Sequence, residues 1–176
     1  MQLVLILAIA ASLALWASLR SYRVFSREEL VAVIRCEPAP KGASFGFLIE
    51  VTPVVKGFPS KLEKFPMVGD QWSIGGDILK WKPWLSWLGL KTLHKLTRLN
   101  SRYLQADAEL HEPRAAYDLG GGTSSLWRWL YRYGLQLPFV DAVYGNAAYV
   151  PAQPGTEWAV YVTLSGYLIR PVRAKA

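Results

Sequence analysis

From Leu3 to Leu19 the chain carries seventeen residues without a charge, a proline or a glycine, and Arg20 closes the run. Hydrocarbon offers no partner to a peptide N–H or C=O, so a segment of this kind satisfies its backbone only as a helix. At about 1.5 Å per residue it reaches roughly 26 Å, a little short of a hydrocarbon core of about 30 Å, and Gln2 and Arg20 make up the difference by snorkelling. Trp16, Arg20, Tyr22, Arg23 and Phe25 sit where an aromatic and basic belt marks a membrane interface. The expected organisation is therefore a single-pass transmembrane anchor over residues 1–20 and a juxtamembrane tether over 21–29. A cleaved secretory signal and a buried core helix are the other readings of the run. Against cleavage, no Lys or Arg precedes the apolar stretch, and Leu15 stands where a peptidase cutting after Ala17 needs a small residue. Arg20, Arg23 and Arg27 all follow the span, which places the downstream domain on the cytoplasmic side of the inner membrane by the positive-inside rule.

Residues 30–176 are the usual length of one domain with one core. Lys and Arg number 20 against 13 Asp and Glu, giving a net charge of +7 and a pI near 9.6. Such a balance suits an anionic neighbour, and for an anchored protein the nearest is the lipid headgroup layer. Nucleic acid is not expected as a partner, because no zinc-finger spacing, helix-turn-helix pattern or ribonucleoprotein motif accompanies the charge. Cys36 is alone, so no disulfide forms within the chain, and it reads as a small buried hydrophobe inside a strand. His94 and His111 are seventeen apart with no Cys or His beside either, which suits a structural or surface role better than a metal site. There is no Gly-x-Ser-x-Gly, and the run Gly120-Gly121-Gly122 lacks the lysine of a phosphate cradle and reads as a loop. No cofactor, metal or catalytic residue is expected.

The periodicity beyond the tether is mostly two. Leu30 to Glu37 is rich in β-branched residues and stops at Pro38-Ala39-Pro40-Lys41-Gly42; Phe45, Phe47, Ile49 and Val51 then share one face of a second strand, predicting an antiparallel hairpin. Lys56 to Met67, with Gly57, Pro59 and Pro66, reads as an irregular loop. Val68 to Trp81 resumes the sheet after a turn at Gly69-Asp70, with Gly75-Gly76 marking a bulge, a sharp bend or the close approach of another backbone. Thr92 to Leu104 fits both a helical stripe and a strand, and the strand is preferred. Gln105 to Leu119 reads as a mixed surface connection. Gly120-Gly121-Gly122-Thr123-Ser124-Ser125 reads as a hinge supplying N-caps to an amphipathic helix from about Leu126 to Tyr133 that covers the sheet, with Leu126, Trp127, Leu130 and Tyr131 on one side, Arg128 and Arg132 on another, and Gly134 as its stop. Leu137 to Gly145 reads as an aromatic-rich connection, and Trp158, Val160, Val162 and Leu164 line one face of a last strand bent near Gly166. The fold expected is mainly β (α+β): one curled antiparallel sheet, as a barrel or a sandwich, with a covering amphipathic helix.

The most unusual composition lies between Ile78 and Ala106, which holds Lys80, Lys82, Lys91, Lys95, Arg98 and Arg102 with no acidic residue. Trp81, Trp84 and Trp87 recur at intervals of three. Pro83 favours a first helical turn and Gly89 a stop. Either this short helix plugs one end of the sheet with its tryptophans, or Lys80, Trp81, Lys82, Trp84, Trp87, Lys91 and Lys95 rest in the headgroup layer beside the anchor.

Tyr22-Arg23-Val24-Phe25-Ser26, Gly69-Asp70-Gln71-Trp72, Leu79-Lys80-Trp81, Leu96-Thr97-Arg98-Leu99 with Arg102-Tyr103, and Leu137 to Gly145 together resemble a group of small, membrane-anchored, uncharacterised proteobacterial proteins, often labelled multidrug-efflux components or transporters. Asn100-Ser101 stands where that group's pattern has a Ser-Gly pair before Arg102. The transporter label does not carry over, since a lone span lines no pathway and no second segment is long and apolar enough to cross. Two functions are expected instead. One is a non-catalytic binding domain that holds a lipid or other amphiphile at the membrane surface; the other is an accessory module docking onto another envelope protein complex such as an efflux system. A ligand pocket needs a void inside the sheet, whereas a docking module needs a filled core and an exposed apolar face.

Overall fold

The computed structural model describes residues 2–120 and 124–172, the side chains of Leu3, Val4, Ala8 and residues 21–25 excepted. A helix, α1 (Gln2–Phe25), leads by three residues into β1 (Glu29–Pro38). Most of the expected tether is therefore helix. β1 pairs with β2 (Phe47–Val55) in the expected hairpin, from Ala32 opposite Pro53 to Pro38 opposite Phe47. On its other side β1 pairs with β9 (Thr156–Val162), which continues through Gly166 into β10 (Tyr167–Pro171). Two short strands, β3 (Phe58–Pro59) and β4 (Glu63–Met67), pair with β2, so the segment expected as an irregular loop extends the sheet instead.

The second sheet is built on β5 (Gln71–Trp81), flanked by β6 (Leu93–Arg102) and β8 (Val140–Pro151), with β7 (Ala116–Asp118) at the edge. The preference for strand over helix at β6 holds. The supposed connection from Leu137 gives way at Val140 to a strand, because its aromatic and β-branched residues pair along β5. Gly75 and Gly76 make the expected bulge, where the β5–β6 register shifts. Between the strands lie α2 (Pro83–Leu88), α3 (Ala106–His111) and α4 (Ser125–Tyr133), the last running into a 3-10 turn at Gly134–Gln136. Ser124 caps α4 through its side chain, which accepts from the Trp127 amide. α4 ends at Gly134 as expected, though with right-handed angles that lead into the 3-10 turn rather than the left-handed cap glycine usually supplies.

The molecule is thus mainly β with two sheets rather than one curled sheet, and no barrel closes. Ala32, Ile34 and Cys36 of β1, Ile49 and Val51 of β2, and Trp72, Ile74 and Ile78 of β5 fill the space between the sheets. Each such large apolar side chain contributes about 1.5–3 kcal/mol by leaving water. At the two seams, side chains bridge the sheets where ladder bonds would close a barrel. Asn146 on β8 accepts from the Tyr167 amide of β10 at 2.8 Å, and the Tyr117 hydroxyl of β7 donates to the Pro66 carbonyl of β4 at 2.6 Å. Pro66 has no N–H to offer, and β7 is only three residues long, so the second seam cannot zip further. The outer face of the second sheet is covered by α4, whose Trp127 and Leu130 pack on Leu79 and Val140. Leu126 and Tyr131, expected to share a side with these two, are instead 60% and 43% exposed.

Candidate functional site

Antiparallel register brings one set of strand ends together beneath α1. Glu29 opens β1 and lies opposite Val162, so the turn after β9 belongs to that end, as do the close of β5 at Trp81, the start of β6 at Leu93 and the start of β8 at Val140. α2 sits there because Trp81 ends β5, Pro83 is preset for a first turn, and Gly89 takes the left-handed conformation (φ 114°) that lets the chain reverse.

α1 is joined to this end by one clasp. The Arg20 guanidinium lies 5.5 Å from the Trp16 ring and 5.0 Å from the Trp87 ring, while the two indoles meet edge-on at 6.1 Å. Arg20 Nε and Nη2 also donate to the Trp87 carbonyl at 3.3 and 3.2 Å, and Arg27 donates to the Gly89 carbonyl at 3.5 Å. The last carbonyls of a helix have no partner within it, so two arginines from the α1 side satisfy what α2 cannot. Toward its start, Leu5, Ile6 and Leu7, which point about 100° apart around a helix, are each about 60% exposed, and among the described residues Ile9, Leu13, Leu15 and Leu19 are exposed as well. Among the described residues no helix is long and apolar enough to cross a membrane. The side chains of Leu3, Val4 and Ala8 stand outside those residues; with them counted from the sequence, the uncharged run is the seventeen residues Leu3–Leu19.

Of the residues expected at the interface, Trp16 and Arg20 meet in the clasp; Tyr22, Arg23 and Phe25 are in the last turns of α1, and their side chains lie outside the described residues. Lys80, Trp81, Lys82, Trp84, Trp87 and Lys91 gather at the α2 end, while Lys95 lies further along β6, its side chain passing over Gly120. The fold opposes some of the charge that looked unopposed in sequence. Lys80 pairs with Asp141 at 3.1 Å and Lys91 with Glu29 at 3.0 Å, both on the surface. Such pairs contribute about 0–1 kcal/mol, so they soften the local field more than they lock the geometry. Trp81 donates from Nε1 to the Lys91 carbonyl at 2.8 Å and rests on Phe139, which makes it a plug, while Trp84 and Leu88 are each 57% exposed. The three tryptophans part company: Trp81 packs partly buried beside Leu79 and Val140, Trp84 is exposed, and Trp87 lies against Trp16 of α1.

Two clefts meet beside α2 and share Ser86, Thr163 and Leu164. One, of about 190 Å³, runs between Arg27–Glu29, Leu90 and Val162. The other, of about 360 Å³, runs toward Lys80, Ala142 and Tyr144. Glu28 at the rim is held by both terminal nitrogens of Arg170, at 2.8 and 2.7 Å. Thr163 and Leu164 as a wall of both clefts carried no signal in the sequence, because it depends on which strand end β9 reaches.

A buried polar group sits at the β5 bulge. Tyr131 donates to Asp77 at 2.8 Å, and the rings of His94 and Tyr167 meet edge-on at 6.3 Å. Burial pushes both phenols up from their ordinary range, with the Asp77 charge adding to it, and pushes His94 down. Tyr167 is 8% exposed, and its hydroxyl and His94 Nδ1 have no hydrogen-bond partner among the described residues. Tyr167 is the sealed end of the group, while Tyr131 reaches the surface beside α4. Cys36 is likewise sealed, its thiol pushed up to about 11 by burial. Among the described residues no three His, Cys, Asp or Glu side chains are grouped to hold a metal ion. Compared with family models, curated proteins and solved structures, the chain matches none.

Proposed function

We propose that the chain is a membrane-anchored, non-catalytic binding domain that holds a lipid or other amphiphile at the bilayer surface, with α1 as its transmembrane helix. The observation that carries the reading is the Arg20–Trp87 clasp, which ties α2 and the clefts beside it to the end of a helix whose described apolar side chains are exposed. A helix apolar on every face needs either a large protein core or a bilayer around it. With α1 in lipid, Trp84 and Leu88 lie at headgroup level, where indole and leucine are favoured, and the clefts open beside them. A packed apolar cluster lies between the sheets, which supports a ligand site at this end rather than inside them. Three arginines after the span support a placement of the domain on the cytoplasmic face of the inner membrane.

Native mass spectrometry of gently extracted full-length protein tests this. A lipid adduct of defined mass is expected, and Leu164→Trp, which fills the wall shared by both clefts, should abolish it. Protein that is always empty would overturn the lipid reading. The filled interior favours a second reading, an accessory module that docks onto another envelope protein complex. Crosslinking in intact membranes that captured one stoichiometric partner, with no lipid adduct ever seen, would establish it.

A further inference from the structure

The hairpin between β2 and β3 also points to the α1 end. Pro53 lies opposite Ala32, so Val55 is level with the start of β1, and the turn Lys56-Gly57 projects past it. Both turn residues have positive φ, 53° and 83°, the two-residue turn whose twist matches a hairpin and which Asn-Gly ordinarily fills. Lysine there is strained, because its Cβ crowds the backbone in the left-handed region. Behind the turn Val55 and Phe58 face each other as a cross-strand pair, 59% and 75% exposed, and Leu62 is 43% exposed nearby. From Val51 to Leu62 the only charges are Lys56 and Lys61. A rigid tip has thus been given a cation at a backbone cost, with two uncovered apolar side chains beneath it.

We infer that the tip Val55–Phe58 is a second membrane contact: Phe58 and Val55 enter the headgroup–acyl boundary, and Lys56 and Lys61 meet lipid phosphates. This rests on α1 being in the bilayer, since the register that aligns the tip with β1 matters only then. The occupant is the bilayer rather than a protein because the tip shares its end with α1 and α2 and carries positive charge alone, the complement of anionic lipid. Together with α2 in the clasp, the tip gives the domain a second foot, which fixes its rotation about α1.

The test uses the full chain in vesicles containing phosphatidylglycerol, with an environment-sensitive dye on one introduced cysteine; native Cys36 is buried and silent. A dye at Leu15→Cys reports on α1, and one at Ser60→Cys reports on the tip. Brominated lipids should quench both. Phe58→Ser should release the Ser60 dye to water and leave the Leu15 dye unchanged. Lys56→Asn should raise the urea midpoint by relieving the turn while shifting the tip roughly fivefold toward its undocked state. A quenched Leu15 dye with the Ser60 dye in water overturns the inference and leaves the anchor standing. A Leu15 dye in water overturns both, and unchanged Ser60 quenching in Lys56→Asn overturns the role of the lysine.

Discussion

Gly76 shows how one residue without a side chain shapes the second sheet. A Cβ at this position would overlap the Lys95 carbonyl oxygen and come within 2.8 Å of the Tyr167 hydroxyl. Backbone and a buried phenol have little room to yield, so Gly76→Ala should lower stability by about 3 kcal/mol, read as a lower urea midpoint. The paired glycines announced a bulge in the sequence; that Tyr167 lies over it was not legible, since β10 arrives from ninety residues away in another sheet. The surroundings of His94 make it a pH sensor of stability. Burial holds it below its ordinary value near 6.5, so the folded domain keeps it neutral. Above that value neither state binds the proton and His94 contributes no slope. As pH falls through it the unfolded chain takes up a proton that the folded one refuses, and stability declines until the lowered pKa is reached. Glu29 opposes the shift, and no other charge acts on the ring appreciably. Full-length protein in detergent should therefore unfold at lower urea at pH 5.5 than at pH 7.5, with the difference shrinking in His94→Gln.

Among the elements, α2 depends most on its neighbours. It has six residues, no side-chain cap at Lys82 and no charge in its last turn, and isolated helices of that length do not persist in water. Pro83 and Gly89 mark its ends in the sequence, but its stability comes from Arg20, sixty-seven positions before Trp87, and no local pattern reveals that partnership. Arg20→Ala removes two charge-assisted hydrogen bonds and the stacked cation together. Amide exchange across Pro83–Leu88 should then accelerate about tenfold or more, corresponding to roughly 1–2 kcal/mol. Arg20→Lys should recover only part of this, because an ammonium keeps the charge and loses the planar stack. The β elements were legible wherever one face alternates, as in β1, β2, β5 and β9. They were missed where proline and glycine dominate: β3 and β4 read as loop because edge strands tolerate proline, and only the presence of β2 makes them strands.

On the scale of the whole molecule, composition and alternation point to a mainly β domain, but they do not say that its ladders form two sheets. That outcome rests on seams made by Asn146 with Tyr167 and by Tyr117 with Pro66, contacts between residues with no shared pattern. The same limit applies to the candidate site. The tryptophan-and-lysine segment stood out by composition, whereas Glu29 and Asp141, the hairpin tip and the wall of Thr163 and Leu164 come to it only through strand register. All of these features acquire a role through α1, and the central claim is that α1 remains part of the working protein inside a bilayer. The most direct measurement is alkaline carbonate extraction of membranes carrying the full chain, followed by intact mass of the extracted species. The account predicts a pelleted, membrane-held protein whose mass includes Leu3–Leu19. A soluble protein shortened to begin near Ala17 would contradict it.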